Sequence, residues 1–313
     1  SGLILVAGGA AMGNDWTSAS YHAFLFDPAT EELIDIGDDP MRSARFAHQA
    51  VEHVSGDVFL IGGWTRAAEG SIVASDSWEV YKRDSQDFEI GQGSLGGGPY
   101  AAATSLGSAG VLVCGGIDIS PQGFSSTSGC AVLQPSGASE LIDSPQGLPF
   151  SHHAMASLGS GKVLMAGGIR GDGLEQYEDT PAIDEAWIYD AASGSWSRTD
   201  DLGIGRANHA MVPLPDGRVL VVGGSTSIDL MTGLDALACA EIFDPNKGDN
   251  GQFEVLDSCT EDSNSASLPT PVYWPMLAID EDYGVLVAGG FGADHDADNN
   301  ASLWLPKPAE EFE

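Results

Sequence analysis

Arginine is scarce in this chain of 313 residues: eight Arg and four Lys stand against 46 Asp and Glu. Five of the eight, Arg42, Arg45, Arg66, Arg170 and Arg206, fall just before or just after apolar runs that stop at a Gly-Gly pair. A guanidinium grips carboxylates and similar anions through two parallel N–H donors. Gathered at one end of a fold, Arg45, Arg66, Arg170 and Arg206 would form a pocket for a small anion, with Trp64 beside its glycine pair as a ring on which a sugar could rest. Phe291, Trp16, Tyr100 and Tyr177 sit on comparable loops. The competing role for Arg45 and Arg206 is pairing with neighbouring carboxylates, because both occupy one fixed place in a repeat.

Other side chains suggest cation chemistry. Asp294, Asp296 and Asp298 alternate in GADHDADNN, a spacing that can turn several carboxylates toward one calcium ion. The loop lacks the glycine and distal glutamate of an EF-hand, so a solvated loop is the alternative. His48, His153 and His209 recur one per repeat, which suits a structural hydrogen-bonding role better than a metal triad. A net charge of −34 argues strongly against nucleic acid as a partner held through phosphates. The same acidity fits a basic partner, or adaptation to high salt. No apolar run is long enough to cross a membrane as a helix.

The elements that must position these residues are legible from the glycines. The pairs begin at positions 8, 62, 115, 167, 223 and 289, a period near fifty residues that marks a repeat architecture. In the fifth repeat, residues 207–214 read as strand A, 218–222 as strand B, 239–243 as strand C and 253–256 as strand D. Strand B is apolar on both faces, as for a strand buried between neighbouring sheets, and strand C carries aromatics before an Asp-Pro or similar stop. The Gly-Gly stop is expected where a Cβ would strike the adjacent repeat. Four antiparallel strands per repeat with this punctuation predict an all-β fold, a propeller of six blades; a seventh would need residues before position 1.

The pattern R-x-x-H, apolar strand, PDG turn, VLVVGG and aromatic strand ending in D-P, clearest over 206–245, resembles the bacterial kelch repeat. His48, His153 and His209 each lie 14 residues before a glycine pair, whereas Ala101 and Pro275 replace the histidine in the third and sixth repeats. Trp196 takes the D-strand tryptophan place of the motif, with Phe88 and Phe253 standing there elsewhere. The resemblance spans the chain and implies a single kelch-type β-propeller domain over residues 1–313, four antiparallel strands per blade. Ser1-Gly2 then matches the A–B turn of the first blade, which places that blade's strand A upstream of residue 1.

Kelch scaffolds carry both binding proteins and enzymes. Galactose oxidase-like copper enzymes imply Tyr and His ligands, for which Tyr21-His22 is the one Tyr-His pair here. Sialic-acid mutarotase-like enzymes imply an Arg-lined channel with an acid–base group, for which Glu175, Glu178 or a histidine would serve. On the blade map, Cys114 with Cys130 and Cys239 with Cys259 are pairs within a blade, and two such disulfides imply an oxidising compartment: extracellular, cell-surface or periplasmic. The reading this sequence supports is an exported propeller that binds a protein or glycan partner through its B–C loops and channel mouth. A sugar-acid isomerase on the same scaffold and a structural component of a surface assembly are the alternatives.

Overall fold

The computed structural model describes residues 2–10, 19–38, 40–67, 71–120, 123–171, 180–228, 235–256, 268–280, 284–292 and 301–304. They form antiparallel β-sheets, and the one-turn 3-10 helices Gly107–Ala109 and Pro145–Gly147 are the helical segments among them. The chain divides into two compact units, Ser1–Ser151 and His152–Glu313.

The first unit holds the sheets of the first three repeats. One has three strands, Ile4–Ala7, Ala23–Asp27 and Glu32–Asp35; the next has Gln49–Glu52, Val58–Ile61, Trp78–Lys82 and Asp87–Ile90; the third has Ala102–Ser105, Val111–Cys114, Gly129–Leu133 and Ser139–Asp143. The second unit repeats the plan with Ala154–Gly159, Lys162–Ala166, Ala186–Asp190 and Ser195–Arg198, then Ala210–Pro213, Val219–Val222, Ala240–Asp244 and Gln252–Val255. Its last sheet, Met276–Asp280, Gly284–Ala288 and Ala301–Trp304, has three strands among the described residues. Every sheet is ordered as the chain runs, so A, B, C and D are simple meanders.

Period-two alternation decides how consecutive sheets stack. Val219 and Val221 pack with Leu164, Ala166 and Ala186 of the preceding sheet, whereas Leu220 and Val222 pack with Val285 and Val287 of the following one. Phe59 and Ile61 likewise face Val111 and Val113, and Leu60 faces Ala23 and Leu25. These B strands are apolar on both faces because both are covered, each large side chain contributing about 1.5–3 kcal/mol, whereas the first and last B strands leave Ile4, Val6 and Leu286 exposed on one face. C and D strands are tied by cross-strand ring pairs, Tyr81–Phe88, Tyr189–Trp196 and Phe243–Phe253, at 5.2, 5.0 and 4.8 Å between centroids. Asp27, Asp190 and Asp244 end their strands by accepting a hydrogen bond at 2.9 Å from the backbone N–H two residues on.

One expected boundary moves. Strand A of the fifth repeat begins at Ala210, not at residue 207, because Asn208 is left-handed (φ 56°) and breaks the strand. Ala207 instead bridges Ser225, just beyond the glycine pair. The B–C connections are also more ordered than loops: Trp64–Arg66 pairs with Ile72–Ala74, Ile117–Ser120 with Gly123–Ser126, and Thr180–Pro181 with Ser227–Ile228 of the next repeat.

Candidate functional site

The R-x-x-H arginines lie inside the fold. Arg206 is wholly buried; its guanidinium donates to Glu241 Oε1 at 2.6 Å, to the carbonyl of Gly223 at 2.8 Å and to that of Cys239 at 3.3 Å. Arg45 repeats this with Glu79 Oε1 at 3.1 Å, Gly62 O at 2.9 Å and Ser77 O at 3.1 Å. The second carboxylate oxygen is also filled: Arg42 N–H donates to Glu79 Oε2, and Gly203 N–H to Glu241 Oε2, both at 2.7 Å. Each arginine thus satisfies the carbonyls where strand B stops and strand C starts. That corrects the expectation that Arg45 and Arg206 present free guanidinium groups to an anion. Burial lowers both guanidinium pKa values, and the facing carboxylate raises them again.

Glu79 and Glu241 went unnoticed in the sequence, although a signal was there. They hold the same place in SWEVY and AEIFDP, one glutamate inside an apolar strand, in the two repeats that carry the arginine. Register assigns Phe24, Ala131, Trp187 and Ser302 to that place in the other repeats, none able to neutralise a guanidinium.

The glycine pair has two separate neighbours. A Cβ on Gly223 would lie 2.5 Å from the carbonyl oxygen of Val272 in the next repeat, and one on Gly224 would lie 2.6 Å from Ala207 O in its own. Both glycines have positive φ, 65° and 95°, so an L side chain would be strained even with room.

A second repeated feature was invisible in the sequence. The residue before the histidine position is left-handed in five repeats: Ala47, Tyr100, His152, Asn208 and Trp274, with φ between 49° and 60°. None is glycine, and such a conformation costs about 1–2 kcal/mol. In the second unit these residues are strung together, Trp274 N–H donating to Asn208 O at 2.7 Å and Asn208 N–H to His152 O at 2.9 Å. The histidines beside them are held neutral. Burial, then the charge of Arg45, lowers His48 to about 4; burial lowers His153 to about 4; burial and then His153 lower His152 to about 3. His209 is pushed well below its usual value by burial, then by Arg206 and His153.

Aromatic rings gather at two repeat positions, the left-handed one and the one directly after the glycine pair. In the first unit, Trp64 and Tyr100 meet edge to face at 6.3 Å. In the second, Tyr273 stacks on Phe291 at 5.7 Å, and Trp274 meets Phe291 edge to face at 6.1 Å. Tyr273 is buried, whereas Trp274 and Phe291 are 39% and 36% exposed. Tyr273 and Trp274 were missed because Pro275 hides the histidine position that would have marked them.

Arg170 is half-buried and bidentate on Glu185 at 3.1 and 2.6 Å. Hydrogen bonds from Arg170, with the charges of Arg170 and Arg198, hold the Glu185 carboxyl below the usual range. Arg66 is exposed at the end of Trp64–Arg66, with no ion pair to a described residue. Cys114 and Cys130 form the expected disulfide across adjacent strands, and Cys239 is disulfide-bonded too. Its expected partner Cys259, the carboxylates Asp294, Asp296 and Asp298, and Trp16, Glu175, Tyr177 and Glu178 lie outside the described residues.

Solved structures show the fold type. The chain is similar to the structure of YjhT, with TM-score 0.66 and 12% identity over 96% of this chain and 90% of that one. It is also similar to a fungal alcohol oxidase of the AA5 family in complex with copper, with TM-score 0.64 and 18% identity over 95% of this chain and 58% of that one. These likenesses point to a kelch-type β-propeller fold. No protein-family model matches the chain. A curated relative, tRNA wybutosine-synthesizing protein 4 of Candida albicans, is 30% identical over 101 residues, which span 31% of this chain and 13% of that protein. Among the described residues no group of three or more His, Cys, Asp or Glu side chains could hold a metal, and both Tyr21 and His22 are exposed, so these residues do not fit a copper centre.

Proposed function

We propose that the chain is a six-bladed kelch-type propeller, exported from the cytoplasm, that serves as a binding module for a protein or glycan partner. The observation that carries this reading is the placing of rings at two repeat positions where packing does not require them. Residue 274 is Trp, yet Ala47 and Asn208 hold the same left-handed position in other repeats; residue 64 is Trp where Ile117 and Ile169 stand elsewhere. Trp274 is exposed on left-handed backbone, and a large ring held rigidly in that way loses little entropy on binding and is a common anchor of recognition. The disulfides of Cys114–Cys130 and Cys239 support an oxidising compartment.

The sugar-acid isomerase reading is weaker, because Arg45, Arg206 and Arg170 are occupied by Glu79, Glu241 and Glu185. Thermal shift against neutral and acidic oligosaccharides, basic and acidic peptides, and calcium with EDTA as control tests the binding role. An organic ligand should raise Tm, and Trp64→Ile or Trp274→Asn should reduce that rise without lowering the unliganded Tm. A response to calcium alone would move the interest to the 294–298 loop and against this reading.

A further inference from the structure

The sixth repeat joins an aromatic platform to an unbroken run of negative charge. Trp274 and Phe291 are partly exposed and meet edge to face, and the buried Tyr273 stacks on Phe291. The platform is braced by backbone: Tyr273 and Phe291 exchange N–H···O bonds at 3.0 and 2.9 Å, and Trp274 N–H is fixed to Asn208 O. Between Lys247 and Lys307 the sequence has no Lys or Arg and eleven Asp and Glu, three of them, Asp294, Asp296 and Asp298, within seven residues after Phe291.

Resting on the binding-module reading, we propose that Trp274 and Phe291 receive a cationic side chain, an arginine or lysine, of a basic polypeptide partner. The electron-rich face of an indole attracts a cation, guanidinium especially, and the strongly negative charge of the chain raises the local concentration of a basic partner and steers its approach. An anionic ligand is disfavoured by the same field. A neutral sugar would use the rings but gain nothing from eleven carboxylates. The arrangement also accounts for a tryptophan kept left-handed (φ 52°) where alanine or asparagine suffices for the fold.

The test uses the whole chain and a short peptide, acetyl-Gly-Arg-Gly-Arg-Gly-amide, with its citrulline counterpart as a neutral copy and maltotriose as a neutral sugar. Calorimetry near physiological ionic strength should show that the arginine peptide binds and the citrulline peptide does not. Trp274→Asn should weaken that binding ~5-fold or more, within the range of a cation–ring contact, while Tm stays unchanged. Phe291→Ser, the residue found at this place as Ser225, is the second variant should Trp274→Asn misfold. Equal binding by wild type and both variants overturns the platform, as it would reduce the effect to diffuse surface charge. Maltotriose binding that the variants abolish, with no arginine-peptide binding, sinks this inference and leaves the binding-module reading standing. If neither peptide nor sugar binds the wild-type chain, both fall.

Discussion

Arg206 illustrates how one residue type can support opposite readings until its partners are known. Scarce cations at a repeat position suggest an anion pocket; a guanidinium with no exposure, bound to one carboxylate and two carbonyls, is instead a junction between strands. Removing one member of such a pair leaves a buried charge uncompensated. Arg206→Ala should therefore cost about 3–5 kcal/mol in urea titrations. Arg206→Met with Glu241→Leu should restore much of the loss, since an apolar pair leaves neither charge behind. The histidines add a pH dependence with a definite sign. His48, His152 and His153 have folded pKa values of about 4, 3 and 4, below the ordinary value of 6.5, so the unfolded chain binds protons that the folded chain refuses. Stability is thus full above about pH 6.5 and falls as pH drops toward 4, by up to about 1.4 kcal/mol per pH unit for each imidazole. Urea midpoints measured from pH 7 to pH 5 should decline, and His153→Gln should flatten the slope; a midpoint that stays level would refute the buried neutral histidines.

At the scale of elements, the strands were written plainly and the turns were not. Six apolar runs ending in Gly-Gly specify B strands, because period-two faces and the need to avoid a Cβ leave few alternatives. The D-strand rings Phe88, Trp196 and Phe253 were legible too, and each meets a C-strand ring. The left-handed residues were hidden, since Ala47, Tyr100, His152, Asn208 and Trp274 share no side-chain chemistry; in three repeats the residue just before, Phe46, Ala207 or Tyr273, bridges the residue after the glycine pair. Glu79 and Glu241 lie 34 or 35 residues from their arginines, so the lone glutamate in each C strand is matched to its partner only once the strands are in register. The third repeat shows a different tie at the same junction. Cys114 pairs with Cys130 where strands B and C adjoin, over a sequence separation of 16. Cys114→Ala with Cys130→Ala should lower stability by about 3 kcal/mol, the entropy of closing a loop of that length, as read by denaturant midpoint under oxidising conditions. No change in midpoint would mean that the B–C hydrogen bonds alone hold this junction.

For the whole molecule, charge outweighs any single contact. Twelve cations against 46 acids leave an excess of 34 negative charges. Exposed pairs such as Arg42–Asp87 and Lys247–Glu254 offset little of this, because solvent-facing ion pairs contribute about 0–1 kcal/mol. Two effects of salt then compete. Screening weakens those few pairs, and it also weakens the repulsion that comes with so large an excess of negative charge, which acts against the compact state. Numbers favour the second. Tm should rise steadily as NaCl is raised from about 0.01 M to 1 M, over which the Debye length contracts from about 30 to 3 Å. Sodium chloride and potassium chloride should act alike if screening is the cause. A Tm that falls with salt would show that local ion pairs govern stability, and a rise confined to divalent cations would instead locate a specific site among the carboxylates. The same screening should loosen the arginine peptide from the wild-type chain while the unliganded protein grows more stable, so that affinity and stability move in opposite directions along one salt series.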